Sequence, residues 1–448
     1  MSFEGAKKSI AVVFFLLSLE ILLSESSLHY EVHHNGPGEL NYPVILVPGD
    51  GGSQIEAKLN KTETVHYFCE AKTTDFFTLW IAISDLVPYA VDCFTDNMRL
   101  VYDNVTRKTS NSPGVDIRIP GFGTTDTIEY LDPSHYGVTG YFNILVEGLL
   151  KMGYNRSFTL LGAPYDFRKS PLELGDFLTN LTQLIEGSYR HSNGVPSVIV
   201  CHSMGCPLML YLLTKHPQEW KDKYIKSMIT LAAPWGGAVK AMKAFASGDN
   251  LGVIVIPELK VRKDERTFPS MAFLLPRPSF WDENETIIRH VGGKNYSISN
   301  FKEFFHDLDF DVGYEMWLDT KDLMSDLPAP NVEVHCLYGS GINTMEYLEY
   351  KEKDFPDHGA KIRFGEGDGT VNLRSLEGCL RWIDKQKQPV HHHNFKGVDH
   401  MSIMADMKVL DYIKKIVHPG TNQSHYLRFM TANRVVSSTT RKSKRVSD

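Results

Sequence analysis

Several things are missing from this sequence. After its first 27 residues no segment has the length or apolarity to span a bilayer, which excludes a polytopic membrane protein. The body carries no dense basic patch and the formal charge is −7, which argue against nucleic acid as the main partner. There is no internal repeat of the kind that builds solenoids. What remains is 42% hydrophobic and 23% charged, the balance of a soluble globular protein. At 448 residues it has room for one large domain with insertions, or for two domains.

The first residues describe a route. Lys7 and Lys8 precede an apolar run from Ile10 to Leu19, and small and polar residues follow from Ser24 to Ser27. Residues 1–27 therefore read as a secretory signal peptide, and Glu20, which interrupts the run, argues against an anchor helix. Seven Asn-x-Ser/Thr sites, at Asn60, Asn104, Asn155, Asn180, Asn284, Asn295 and Asn422, fit a glycoprotein of the secretory or endolysosomal system. Six cysteines fit the same oxidising route. Cys69 and Cys93 would close a short loop and Cys336 and Cys379 a longer one. Cys201 and Cys206 are expected to be free thiols. Sequence alone leaves the pairing open. The basic, polar end of the chain, residues 425–448, reads as disordered.

Apolar runs at Val44–Val47, Phe158–Leu161, Val198–Cys201, Met228–Leu231 and Val332–Tyr338 read as strands. Helical patterns fall near Phe142–Met152, Gly175–Tyr189, Pro207–His216 and Ile403–Ile416. The alternation predicts an α/β fold. Stretches near 61–110 and 236–330 break it and are expected to be insertions.

Cys201-His202-Ser203-Met204-Gly205 sits between a strand and a helix. That is the context of the nucleophile elbow of α/β-hydrolases, where a sharp turn pushes a serine hydroxyl out of the sheet edge. Gly205 suits the pattern G-x-S-x-G, whereas Cys201 stands where it has glycine. An activated serine needs a base, and the base an orienting acid, in the chain order serine, acid, histidine. Asp368, set among glycines in Gly365-Glu366-Gly367-Asp368-Gly369, is the acid candidate. His400, between an expected strand and helix, is the base candidate. The oxyanion would be held by the amide of Met204 and by that of Asp50, in the loop Pro48-Gly49-Asp50-Gly51 after the first strand. His202 faces the wrong way to act as base. His391, His392 and His393 alternate between the faces of a strand and cannot converge on one site, so no metal or cofactor is expected.

Phe76, Leu79, Trp80 and Ile83 recur at helical spacing, with Phe77 and Ile81 beside them. This is a buried helix or an element that dips into a lipid surface. Its place in a small insertion holding Cys69 and Cys93 favours the lipid surface. The stretch from Ser247 to Phe268 reads as a lid over an apolar site, or as a surface loop.

The strings VILVPGD, EAKL, HYFC, FFTLW, RIPGFG, APYDFR, HSMG, AAPWGG, HCLYG, GDGTVN and DHMSIM carry a resemblance. Running from about residue 43 to about 416, the chain resembles the lecithin–cholesterol acyltransferase family, and within it the lysosomal branch. The resemblance implies an α/β-hydrolase core at 41–60, 111–235 and 331–418. It implies a membrane-binding insertion at 61–110 and a cap with its lid at 236–330. It implies Ser203, Asp368 and His400 as the triad, Asp50 and Met204 as the oxyanion hole, and disulfides Cys69–Cys93 and Cys336–Cys379. It sets Phe76, Phe77, Leu79 and Trp80 at the membrane. The implied reaction is a calcium-independent, monomeric phospholipase A and transacylase, acting on a phospholipid surface through a serine acyl-enzyme. The acyl group passes to water or to a lipid alcohol, ceramide or a sterol, in the lysosome at acid pH or outside the cell. Asp50 looks like the lysosomal branch, Cys206 like the plasma one, and the basic tail like neither. Two rival readings are a secreted phosphatidylcholine–sterol O-acyltransferase and a catalytically silent lipid-binding protein on the same scaffold.

Overall fold

The computed structural model describes residues 41–82, 90–135, 137–249 and 257–419. The expected signal peptide, the tail and Asn422 lie outside the described residues. Six strands form the central sheet: β1 (Val44–Val47), β2 (Leu160–Gly162), β3 (Ser197–His202), β4 (Ile225–Leu231), β5 (Val334–Ser340) and β6 (Val390–Lys396). Every neighbouring pair is parallel, in the order 2-1-3-4-5-6. β1, β3 and β5 are buried along their whole length, because helices cover both faces of a parallel sheet. That is why β1 and β3 read as continuous apolar runs. β6 lies at the edge, and its polar string Val390-His391-His392-His393-Asn394 is mostly exposed.

Helices α1 (Gly175–His191), α2 (Gly205–Lys215), α3 (Gln218–Tyr224) and α6 (Met407–Val417) accompany the sheet, and α4 (Val239–Ser247) and α5 (Glu258–Glu265) pack on each other outside it. α1 buries Phe177, Leu181, Ile185 and Ser188, a single stripe at helical spacing. α6 starts where the Asp406 carboxylate accepts the N–H groups of Lys408 and Val409, two donors the first helical turn leaves open.

The strand order reverses beside β1, with β2 on one side and β3 on the other. In such sheets the crevice at the carboxyl ends of the strands flanking the reversal is where ligands bind. Here those ends are the Pro48–Gly52 loop and Ser203.

Two elements depart from the expected pattern. Phe77–Trp80 is a strand, antiparallel to Ile55–Leu59, which pairs on its other side with Val115–Arg118. The spacing of Phe76, Leu79 and Trp80 fits a helix, but a pairing partner some twenty residues earlier captures the segment. Residues 83–89 lie outside the described residues, and a helix follows at Val91–Met98. The hairpin Thr344–Tyr350 with Lys361–Gly365, expected in the core, pairs through Thr344–Tyr350 with Ile288–His290 and so extends the second insertion. Cys69–Cys93 and Cys336–Cys379 are bonded, and Cys201 and Cys206 are free and buried. Among the described residues no helix is long and apolar enough to cross a membrane.

Candidate active site

Ser203 follows β3 directly and has a φ of 50°, a left-handed conformation that a non-glycine residue rarely adopts. Neighbouring backbone over-determines it. The Ser203 amide donates to Leu231 O of β4 at 2.9 Å, and Ser203 O accepts the Cys206 amide at 3.0 Å. The loop after β1 presses against the turn. A Cβ on Gly205 would lie 2.2 Å from Pro48 O, and one on Gly49 would lie 2.7 Å from Ser203 Cβ. Glycine is therefore required at both places by contact with backbone or with the serine itself. The Cys201 side chain sits elsewhere, with its Sγ 3.6 Å from Ile229 O, so the elbow tolerates it.

His400 Nε2 is 3.0 Å from Ser203 Oγ, and His400 Nδ1 is 2.7 Å from Asp368 Oδ2. Asp368 is fully buried, and its Oδ1 accepts the amides of Thr370 at 3.0 Å and Val371 at 2.7 Å. Its carbonyl accepts the His400 amide at 2.9 Å, so acid and base are joined through backbone as well as side chain. The structure thus brings together three residues up to 197 positions apart in the chain. Among the described residues neither the Asp50 nor the Met204 amide donates a hydrogen bond. Met204 follows Ser203 directly, and Asp50 lies in the loop that presses on the Ser203 turn.

A supporting chain of hydrogen bonds, with no signal in the sequence beyond His202, runs behind the triad. His202 Nε2 is 2.9 Å from the His400 carbonyl, which can only accept. That fixes the proton on Nε2 and leaves Nδ1 to accept from the Tyr141 hydroxyl at 2.6 Å. The Tyr141 oxygen in turn accepts the Gly49 amide at 2.8 Å. Burial pushes the His202 imidazole down to about 3, so it stays neutral and keeps this polarity. The chain ties the loop holding Asp50 to the loop holding His400.

Trp80 belongs to the same support. It is 9% exposed, packs on Phe94 and Phe167, and donates its indole N–H to Gly51 O at 2.7 Å. Leu79 is 1% exposed. Neither is presented to a lipid surface: the two side chains leave the strand on opposite faces and both are buried. Phe76 and Phe77 are partly exposed, and Arg118 lies over the Phe76 ring at 4.3 Å.

The Asp50 carboxyl has one oxygen buried without a hydrogen bond. Burial raises it to about 7, against the lowering pull of Lys240. Lys240 also pairs with Asp249 at 3.3 Å, and the Asp249 amide donates to Glu265 Oε2 at 2.8 Å. Asp264 and Glu265 are pushed well up by burial too. Burial therefore favours the protonated form of Asp50 and of the α5 carboxyls Asp264 and Glu265, of which Glu265 lies within electrostatic reach of Asp50. α5 itself is fixed to the first insertion by ion pairs from Lys260 and Lys263 to Asp92. Residues 250–256 of the expected lid lie outside the described residues.

The family model described as Lecithin:cholesterol acyltransferase matches residues 76–408. The chain belongs to the lecithin:cholesterol acyltransferase family. It is 43% identical over 381 residues to the lysosomal phospholipase A and acyltransferase of Rattus norvegicus, covering 85% of this chain and 91% of that one. With the Homo sapiens protein of the same description it is 41% identical over 403 residues, covering 90% and 95%. With the phosphatidylcholine-sterol acyltransferase of Mus musculus it is 41% identical over 377 residues, covering 84% and 85%. As expected for this acyltransferase family, the fold is that of an α/β-hydrolase, with Ser203 on the turn after β3.

Proposed function

We propose that this acyltransferase-family chain is a serine-dependent phospholipase A and transacylase. The observation that carries the reading is the relay from Asp368 through His400 to Ser203 at the mouth of the β1–β3 crevice. Ser203 Oγ attacks the carbonyl carbon of a glycerophospholipid acyl ester while His400 Nε2 takes its proton. Asp368 keeps the His400 proton on Nδ1 and stabilises the imidazolium. The amides of Asp50 and Met204 hold the oxyanion. His400 then protonates the departing lysophospholipid oxygen, leaving the acyl group on Ser203. Water or a lipid alcohol, activated by His400, takes the acyl group in the second half.

The Asp50 carboxyl supports operation at acid pH. Below about 7 it is neutral beside the oxyanion, and above that it is an anion facing a developing anion. This favours an acidic compartment such as the lysosome. The six described sequon asparagines are all exposed, as glycans of the secretory route require. Membrane contact falls to Phe76 and Phe77 together with Tyr67, 98% exposed, and Phe68, 48% exposed, beside the Cys69–Cys93 bridge. Tyr67 and Phe68 lie in the run HYFC, whose sequence carries no periodicity that marks them as exposed. Aromatic rings left in water on a short tethered loop suit a lipid interface.

The test is Ser203→Ala on phosphatidylcholine liposomes containing ceramide or a sterol. Fatty acid release and acyl transfer should both fall by about five to six orders of magnitude while liposome binding persists. Turnover retained by the variant would overturn the assignment. Sterol esters at neutral pH as the main product would favour the sterol acyltransferase reading.

A further inference from the structure

At the opposite, amino-terminal end of the sheet, β5 and β6 bring one carboxylate and two imidazoles together. The parallel register sets His335 beside His391, and their rings stack 4.7 Å apart at 13°. Glu333 precedes His335 by two positions and so projects to the same face. Its Oε1 lies 3.3 Å from His335 Nε2 and 3.5 Å from His391 Nε2. The three donor atoms all lie within 4.8 Å of one another.

His335 is 2% exposed, and its Nε2 faces the Glu333 carboxylate at 3.3 Å without the alignment of a good hydrogen bond. A buried nitrogen and a carboxylate oxygen that close but poorly aligned leave room for an ion shared between them. Its other nitrogen, Nδ1, is 2.9 Å from the Tyr412 hydroxyl, the kind of outer contact that fixes the ring plane of a metal-binding histidine. Lys226 holds the second Glu333 oxygen at 2.7 Å and orients the carboxylate. Two donors bound to zinc at about 2.0–2.1 Å in a tetrahedral arrangement stand about 3.3 Å apart, close to both carboxylate–imidazole separations. Parallel stacked rings cannot both aim their lone pairs at one ion, so His391, whose side chain is 47% exposed, must turn out of the stack to bind.

We propose that Glu333, His335 and His391 bind a divalent transition metal of the zinc class. Two imidazole nitrogens and one carboxylate oxygen suit zinc, cobalt or nickel better than magnesium or calcium. Water fills the fourth position. The expectation that the three consecutive histidines cannot converge holds among themselves, and the second imidazole comes instead from the neighbouring strand. The site staples edge strand β6 to β5, and β6 ends four residues before His400. Metal binding to the folded chain alone would stabilise it by mass action.

The experiment is zinc titration by calorimetry and thermal melting of the full chain at neutral pH, with cobalt as a spectroscopic probe. The chain, His391→Ala, Glu333→Gln and His400→Ala are compared, the last because the triad histidine is a competing zinc ligand. One equivalent of zinc should bind and raise Tm in the parent and in His400→Ala. Cobalt should give intense tetrahedral visible bands in both. His391→Ala and Glu333→Gln should each lose about tenfold or more in affinity, together with those bands. Melting without metal checks that the variants fold; should His391→Ala fail to fold, Glu333→Gln decides. No zinc uptake by the parent, equal uptake by the variants, or uptake lost only in His400→Ala would overturn the proposal.

Discussion

His202 stands next to the serine in sequence but acts on the far side of the turn. Its ring bridges Tyr141 to the His400 carbonyl, and Tyr141 bridges onward to Gly49. Tyr141→Phe removes the only acceptor for the buried Gly49 N–H in that chain. It should lower stability by about 1–3 kcal/mol. Because the loop it positions carries the proposed oxyanion donor Asp50, kcat should fall while KM for liposomes changes little. An unchanged kcat would mean that the chain is structural only. The sign of the Asp50 effect follows from its raised value. The neutral carboxyl stabilises the fold below the ordinary aspartate range, and that stabilisation is lost as pH rises toward and through about 7. Asp50→Asn should flatten both the fall in Tm and the fall in kcat/KM over that window. Parallel pH profiles for the two proteins would contradict this.

At the scale of elements, apolar runs bounded by glycine announced the central strands, and the elbow and its partners were legible because each sits at a strand end. The misreadings share one physical cause. Strand pairing depends on a distant partner, and spacing within a segment cannot show it. Phe76, Leu79 and Trp80 carry a helical period by coincidence, and the Ile55–Leu59 strand overrides it. Thr344–Tyr350, within the expected core at 331–418, likewise takes its partner Ile288–His290 from a distant part of the chain. Tyr141 had no local signature, since its partner Gly49 lies 92 positions earlier. The corrected place of Trp80 makes its own prediction. Trp80→Phe keeps most of the packing on Phe94 and Phe167 but leaves Gly51 O without its donor. Turnover should drop about tenfold with liposome binding intact, as for a loop loosened by one buried hydrogen bond of about 1–1.5 kcal/mol. Loss of liposome binding instead would return Trp80 to the membrane.

For the whole molecule, the segments expected to be insertions are joined to each other by ion pairs. One carries the exposed aromatic loop closed by Cys69–Cys93, the other the buried carboxyls of α5, and Asp92 joins them. Fully buried Arg168 fastens the core beneath. Its guanidinium grips Asp166 with two hydrogen bonds, at 2.8 and 2.7 Å, and also reaches Met98 O and Asn111 Oδ1. This division of labour predicts that Tyr67→Ser with Phe68→Ser weakens liposome association by about tenfold or more, the worth of one to two aromatic side chains left out of the lipid. Hydrolysis of a water-soluble ester should be unaffected. Equal loss on both substrates would place those rings at the active site rather than at the interface.

The central claim is a single acyl-Ser203 intermediate that water and a lipid alcohol share. The direct test is a product balance on phosphatidylcholine liposomes with increasing ceramide. Fatty acid plus acylated alcohol should equal lysophospholipid at every acceptor level, with acylated alcohol rising at the expense of fatty acid. Ser203→Ala should abolish all three products together. Transfer that survives Ser203→Ala, or products that fail to balance, would contradict a shared acyl-enzyme.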